Sequence, residues 1–318
     1  MQSVEKIAKD LNKHFSADIA YYEGQKIAFE PTGLLPLDYA IGLGGLPVGR
    51  IIEVHGQFSS AKTSLCLAII ANFQKRNLPC AFIDAEFAFS AKHATSMGVD
   101  TDKLLMIQPD YGEQAFEIME KILKDDSAKL IVVDSVSALT PKAEAEAEYG
   151  KPTMGAQARL MASGMRKLIG LVSKQKAIII FINQLRMNIM GGQYDPYTLP
   201  GGQALKHYSS VMMELKKEKA LMKGDKIVGY PIYIKIKKNK VGVPGEDCTV
   251  NLFFDDGFSA SLDVISLGLK SGILRKDGNT LFYGEVKLGV GQNKAREFLV
   301  ANPLVAQDLL AKLSPHQE

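Results

Sequence analysis

Apolar residues follow two successive patterns along this chain, and a third texture comes after them. Near the start, Val4, Ile7, Ala8, Leu11 and Phe15 recur at three- and four-residue intervals, which predicts an amphipathic helix. An irregular stretch is expected to follow, from Asp18 to Thr32. From Arg50 onward, the short apolar runs IIEVH, CAFID, KLLMIQ, KLIVVDS and AIIIFIN alternate with helical patterns. Near-continuous apolar runs are what strands covered on both faces require, so this rhythm predicts a mostly parallel α/β sheet. VMMELKK, YPIYIKIKKNK and NLFFD instead alternate apolar with polar residues, as antiparallel strands added at one edge would. Beyond about Ser259, helices are expected around LDVISLGLKSG, NKAREFLVANP and VAQDLLAKL, with a turn at Asp277-Gly278, giving a small α/β C-terminal lobe. The expected division is an N-terminal helix and linker at 1–32, a core at 33–258 and the lobe at 259–318.

Composition narrows the class only slightly. With 318 residues, 46% hydrophobic and 23% charged, the chain can bury a large core, which excludes disorder. The net charge of +3 is mildly basic, so a nucleic-acid reading depends on where the charge sits. Cys66, Cys80 and Cys248 lie in apolar or strand-like surroundings without a C-x-x-C pair, and are expected as buried, reduced thiols. The opening MQSVEKIAKDLNKHF is charged throughout, and no run approaches the ~18 apolar residues of a membrane span. The expectation is a cytosolic protein with no membrane partner, in a bacterial cytoplasm or, if phage-encoded, in that of the host.

The chemistry begins after the strand IIEVH. Gly56-Gln57-Phe58-Ser59-Ser60-Ala61-Lys62-Thr63-Ser64 matches the phosphate-loop pattern G-x-x-x-x-G-K-[ST] except at its second glycine, here Ala61. Strand, tight loop and helix N-terminus together make a concave anion site from backbone N–H groups. Lys62 is expected to neutralise β and γ phosphates, and the Thr63 hydroxyl to hold Mg²⁺. Leu130-Ile131-Val132-Val133-Asp134 is an apolar strand ending in a carboxylate, placed to orient the same ion through its water shell. A further strand leads to Glu86, which is expected to act as general base on the attacking water.

At this point the chain resembles the RecA family of bacteria and phages. The similarity is carried by TGLLPLDYAIGLGGLPVGRIIEVHG, CAFIDAE, LIVVDSVSALTP, MGAQARLMASGMRKL, IIIFINQLRM, GGQALKHYSS and KKNK, in family order and over nearly the whole chain. The resemblance implies a RecA-type P-loop NTPase core and an ATP-dependent recombinase. Such a protein forms homo-oligomeric helical filaments on single-stranded DNA and exchanges strands with double-stranded DNA. It also implies two DNA-binding loops, from about Glu146 to Gly155 and from about Arg186 to Gly201. By position, Gln184 matches the glutamine that senses the γ phosphate. Lys238 and Lys240 match the lysine pair that reaches a neighbour's ATP, in the manner of an arginine finger. They sit in a run of nine lysines between Lys216 and Lys240, a density that by itself describes a solvated face.

For DNA, the candidates are Arg159, Arg166 and Arg186 against phosphates. Met154, Gly155, Met190, Tyr194, Gly201 and Gly202 are candidates within the loops, where Tyr194, Tyr197 and Met190 could lie against bases. Gln57, Phe58 and Ala61 depart from the family loop. A Cβ at position 61 is expected to shift the backbone near the phosphates and alter the hydrolysis rate or its DNA dependence. His93 stands where the family has a tyrosine that stacks on adenine. The sequence stops at SPHQE without the acidic tail common in bacterial members, so self-inhibition by such a tail is expected to be absent. The competing readings are an accessory DNA-binding filament scaffold that binds ATP but hydrolyses it poorly, and a ring helicase. The N-terminal helix, the Gly-rich second loop and the C-terminal lobe disfavour the helicase.

Overall fold

The computed structural model describes residues 4–15, 27–148, 155–187, 197–242 and 247–313. Its centre is a ten-stranded sheet. Six strands run parallel, in the spatial order Val211–Lys217, Ile51–Gly56, Ile178–Gln184, Leu130–Asp134, Cys80–Asp84, Leu104–Ile107. The strand Lys226–Asn239 joins antiparallel to Val211–Lys217, followed outward by Cys248–Phe253 and Gly257–Phe258, with Leu221–Lys223 folded back on Lys226–Asn239. A mostly parallel sheet with an antiparallel edge is therefore what the change of sequence texture encodes.

Alternate residues of one strand serve two cores. Ile52 and Val54 face one side with Ile180 and Ile182, under the helix Lys62–Lys75. Ile51 faces the other side with Ile179 and Phe181, under the helices Gly112–Lys124 and Ala156–Lys174. Burial on both faces is why these strands read as unbroken apolar runs.

A third core belongs to the C-terminal lobe. There the helix Ala260–Lys270 packs with the helices Gly291–Ala301 and Pro303–Leu313 through Leu262, Ile265, Leu267, Leu299 and Leu309. The lobe also holds a three-stranded antiparallel sheet, Leu274–Asp277, Thr280–Tyr283 and Val286–Val290. Its first turn is the expected Asp277-Gly278, with Gly278 at φ 53. Part of the stretch expected to be irregular, Phe29–Glu30, is a short strand paired with Leu46–Pro47.

The N-terminal helix Val4–Phe15 forms as its spacing predicts, but Val4, Ile7, Leu11 and Phe15 stay exposed and only Ala8 is buried. Among the described residues no helix is long and apolar enough to cross a membrane. Cys66 and Cys80 are buried and Cys248 half-buried, all three as free thiols, and burial pushes the Cys80 thiol up to about 12.

Candidate functional site

The parallel strands deliver their polar ends to one edge of the sheet. Gly56 is in register with Gln184, and Asp84 with Asp134, so the loops that follow these strands open at the same carboxyl edge. Ligands of open α/β sheets gather there.

Gly56 has no room for a side chain. A Cβ there would lie 2.5 Å from both the Leu215 carbonyl oxygen and Ser60 Oγ. The loop then passes through two left-handed residues, Ser59 at φ 57 and Ala61 at φ 66. An L-residue in that region costs roughly 1–2 kcal/mol, so Ala61 keeps a glycine-like backbone at the price of strain. Its methyl packs half-buried against the core. Ala61 is also the N-cap of the helix Lys62–Lys75 and offers no side chain to its first-turn N–H groups, which leaves that end of the dipole open to an anion.

Lys62 is buried and folds back on the loop, donating to the Gln57 carbonyl at 2.8 Å, the Gly56 carbonyl at 3.3 Å and Ser60 Oγ at 3.4 Å. Burial holds its ammonium pKa below the ordinary lysine value, with Asp134 and Glu86 opposing. An ammonium bonded only to neutral oxygens in a tight loop has its charge unmatched at contact distance, and phosphate oxygens would match it. Gly56, the uncapped helix and Lys62 thus fit a polyphosphate.

The Thr63 hydroxyl donates to Asp134 Oδ2 at 2.7 Å. Burial pushes the Asp134 carboxyl up to about 6; the Thr63 bond counters this, and Glu86 and Asp84 add repulsion. A hydroxyl and a carboxylate in contact beside a phosphate loop suit Mg²⁺, which takes one or two protein oxygens plus phosphate oxygens and water. Among the described residues no cluster of three or more His, Cys, Asp and Glu could hold a metal by itself.

Glu86 Oε1 accepts from Gln184 Nε2 at 2.7 Å and from the Ser135 hydroxyl, which also contacts Ser137 Oγ at 2.7 Å. The expected base and the amide that opens the second loop therefore touch. Asn183, one residue earlier, is buried and donates through Nδ2 to Glu53 Oε1 and to the Pro200 carbonyl, both at 3.1 Å, while its Oδ1 accepts the Gln184 N–H at 3.0 Å. Glu53 and the Asn183 bridge were not singled out from sequence, because Glu53 is hidden inside the strand run IIEVH. Ser135 could have been flagged, since it directly follows the strand-end Asp134.

His93 Nε2 lies 3.0 Å from Ser64 Oγ, so the half-buried imidazole rests on the helix that the phosphate loop begins. Burial lowers its pKa and favours the neutral ring.

Lys238 and Lys240 do not join this site in their own chain. Lys238 pairs with Met212, level with Glu53, three residues before Gly56 and roughly 10 Å back along the sheet. Lys238 Nζ donates to the Lys206 carbonyl and Lys240 Nζ to the His207 carbonyl at 2.7 Å. Burial and the neighbouring Lys240 charge lower the Lys238 pKa.

Of the DNA candidates, Arg159 and Arg166 are exposed seven residues apart on the helix Ala156–Lys174, on one face. Gly155 is the N-cap of that helix at φ 69. Arg186 is exposed and lies on a short strand paired with Thr198, which closes the base of the second loop. Gly201 is buried at φ 89, where a Cβ would come within 2.8 Å of Val136 Cγ1; Gly202 is exposed at φ 73, where a Cβ would lie 2.9 Å from Ala158 Cβ. Both glycines let the returning loop press onto the segment after Asp134 and onto the helix that bears the arginines. Met154, Met190 and Tyr194 lie outside the described residues, as does most of each loop.

A phosphate loop on an uncapped helix, facing strand-end carboxylates on an open parallel sheet, defines the class: an α/β P-loop nucleotide-binding protein. Two family models match, the RecA N-terminal domain over residues 1–259 and the RecA C-terminal domain over residues 262–316. The chain is 44% identical to Protein RecA of Campylobacter lari over 313 residues, covering 97% of this chain and 91% of that one. It is 42% identical to Protein RecA of Wolinella succinogenes over 312 residues, 98% of this chain and 89% of that one. Against Protein RecA of Syntrophus aciditrophicus the identity is 45% over 289 residues, 91% and 83% of the two chains. The chain belongs to the RecA family.

Proposed function

We propose that this RecA-family recombinase binds ATP with Mg²⁺ between adjacent copies of itself, polymerises on single-stranded DNA, pairs that strand with a homologous duplex and hydrolyses ATP to let go. Gly56 to Ser64 would hold the phosphates, with Lys62 against the β and γ groups, and His93 would flank the base. Thr63 and Asp134 would hold Mg²⁺, which when bound neutralises charge on the phosphate oxygens. Glu86 takes the proton of the attacking water as the bond to the departing ADP oxygen breaks.

Lys238 and Lys240 of a second copy supply positive charge to the same phosphates, so turnover depends on assembly. Their distance from their own phosphate loop favours this action in trans. The observation that carries the coupling to DNA is the Glu86–Gln184 hydrogen bond of 2.7 Å, because it ties the hydrolytic base to the strand end that leads into the second loop. Arg159, Arg166 and Arg186 then neutralise DNA phosphates without reading sequence, and homology is tested by base pairing. Such a protein works in the cytoplasm.

The test is strand exchange by Lys62→Ala beside the unaltered chain. The variant should remain folded, lose nucleotide-dependent filaments in electron micrographs and exchange no strands. Exchange at the unaltered rate would overturn the assignment.

A further inference from the structure

A carboxyl group stands inside the central strand Ile51–Gly56, where its neighbours are apolar. Ile51, Ile52 and Val54 are fully buried, and Glu53 among them is 1% exposed. Taking a carboxylate out of water costs free energy that an isoleucine or valine at the same place would not cost. Titratable groups held in this way gather at functional sites, so the bonds that Glu53 makes show what it is for.

Those bonds lead to the neck of the second loop. Glu53 Oε1 accepts from Asn183 Nδ2 at 3.1 Å, and the same Nδ2 donates to the Pro200 carbonyl at 3.1 Å. Asn183 Oδ1 accepts the Gln184 N–H at 3.0 Å. One amide thus fastens both ends of the loop, Gln184 before it and Pro200 after it, to the strand that runs on to Gly56 and the phosphate loop. Gln184 Nε2 in turn donates to Glu86 Oε1 at 2.7 Å. The chain of bonds therefore runs from Glu53 through Asn183 and Gln184 to Glu86.

We propose that Glu53 is a positioning residue for DNA-stimulated turnover: when ionised it grips Asn183 and fixes the loop neck, and when protonated it slackens that grip and weakens the response to DNA. The inference rests on the reading above that DNA acts on Glu86 through Gln184. A charge-assisted hydrogen bond is roughly twice as strong as a neutral one. Glu53 Oε2, which has no partner among the described residues, is the oxygen on which a proton breaks no bond. Burial pushes the carboxyl up to about 7, against the Asn183 bond and the Lys238 and Lys206 charges, so the grip tightens as pH rises through neutrality. The other charged or titratable groups facing the same cavity, of about 740 Å³, are His55, Lys206, Glu214, Lys237 and Lys238. Glu214 is paired with Lys237 at 3.2 Å, and burial pushes His55 down to about 4, so its imidazole is already neutral over this range.

The test is ATP hydrolysis by the full chain with Mg²⁺, with and without saturating single-stranded DNA, from about pH 6 to about pH 8. The quantity read is the ratio of stimulated to DNA-free turnover at each pH, which divides out groups that act on hydrolysis alone. For the unaltered chain the ratio should rise about fivefold through pH 7, the factor by which a charged hydrogen bond typically exceeds a neutral one. Glu53→Gln keeps an acceptor for Asn183 but carries no charge, so its ratio should stay at the low-pH level throughout. Glu53→Leu removes the acceptor and should depress the ratio at every pH. A merely structural role would lower the unfolding temperature of both variants and leave the shape of the pH profile untouched.

A ratio that stays flat across this range in the unaltered chain would overturn the inference, and that result needs no variant to fold. So would a folded Glu53→Gln chain that keeps the unaltered pH profile. A chain that hydrolyses ATP but gains nothing from DNA at any pH would refute the coupling through Gln184, and the inference with it.

Discussion

Replacing Asn183 by Ala removes one side chain that joins three parts of the molecule. Asn183 is 1% exposed and bonds Glu53 Oε1, the Pro200 carbonyl and the Gln184 N–H. A typical hydrogen bond contributes about 1 kcal/mol, and a buried polar group left unbonded costs about 1–3 kcal/mol. Glu53 Oε2 already has no partner, so the variant leaves both carboxylate oxygens of a buried residue unbonded. The expected loss of unfolding free energy is roughly 3–4 kcal/mol.

The loss should depend on pH. Burial pushes the Glu53 carboxyl up to about 7, from an ordinary value of 4.5, against the Asn183 bond and the Lys238 and Lys206 charges. A folded-state pKa above the unfolded one favours the protonated form. That contribution is full below about pH 4.5 and disappears as pH rises through 7. Removing the Asn183 donor raises the folded value further, so urea unfolding should show a larger deficit at pH 8 than at pH 5. Asn183→Asp, which sets a second carboxylate against Glu53, should widen that difference. Because Gln184 loses its backbone anchor, DNA-stimulated ATP turnover should fall more than DNA-independent turnover. A deficit under about 0.5 kcal/mol, with stimulation unchanged, would refute the bridge.

Three further outcomes follow from the same structure. Asp263 is buried with Oδ2 unpartnered, and burial pushes its carboxyl up to about 7, so stability from this residue is present below about pH 4 and lost as pH rises toward 7. Asp263→Asn should therefore stabilise the protein by about 1–3 kcal/mol at pH 8 and hardly at pH 4 in urea titrations, and equal effects at both would contradict this. Ala61→Gly trades relief of left-handed strain against lost methyl packing and added chain entropy, so unfolding should shift by under about 1 kcal/mol while ATP turnover changes; unchanged turnover would refute a steric role for the Ala61 methyl. The Lys238→Ala/Lys240→Ala double variant should lower DNA-stimulated hydrolysis by about 100-fold or more, and turnover within threefold of the unaltered chain would refute catalysis in trans.

The parallel sheet was legible because strands buried on both faces must be apolar throughout, as in Ile51–Gly56 and Ile178–Gln184. That Lys62, Thr63 and Asp134 would lie at one edge of the sheet was legible because the phosphate-loop pattern and a strand-end carboxylate each mark a position in the fold; their roles toward a nucleotide are proposed. The C-terminal sheet was harder to read, since Leu274–Asp277 and Val286–Val290 are short and carry charge. Glu53 and the Asn183 bridge were invisible for another reason. They meet across 130 positions of chain, and the register between Ile51–Gly56 and Ile178–Gln184 that joins them is a property of the folded sheet. The aromatic at Phe58 was readable as an outward-facing ring in the phosphate loop, whereas the left-handed turn at Ser59 that follows it was not.

The central claim is that nucleotide held at Lys62 governs the grip on DNA. It is tested by titrating a fluorescent single strand with the full chain at fixed salt, with Mg²⁺, with and without a non-hydrolysable ATP analogue. The nucleotide should tighten binding by roughly 5–150-fold, and Lys62→Ala should abolish the difference. Equal affinity in the two conditions for the unaltered chain would contradict the account.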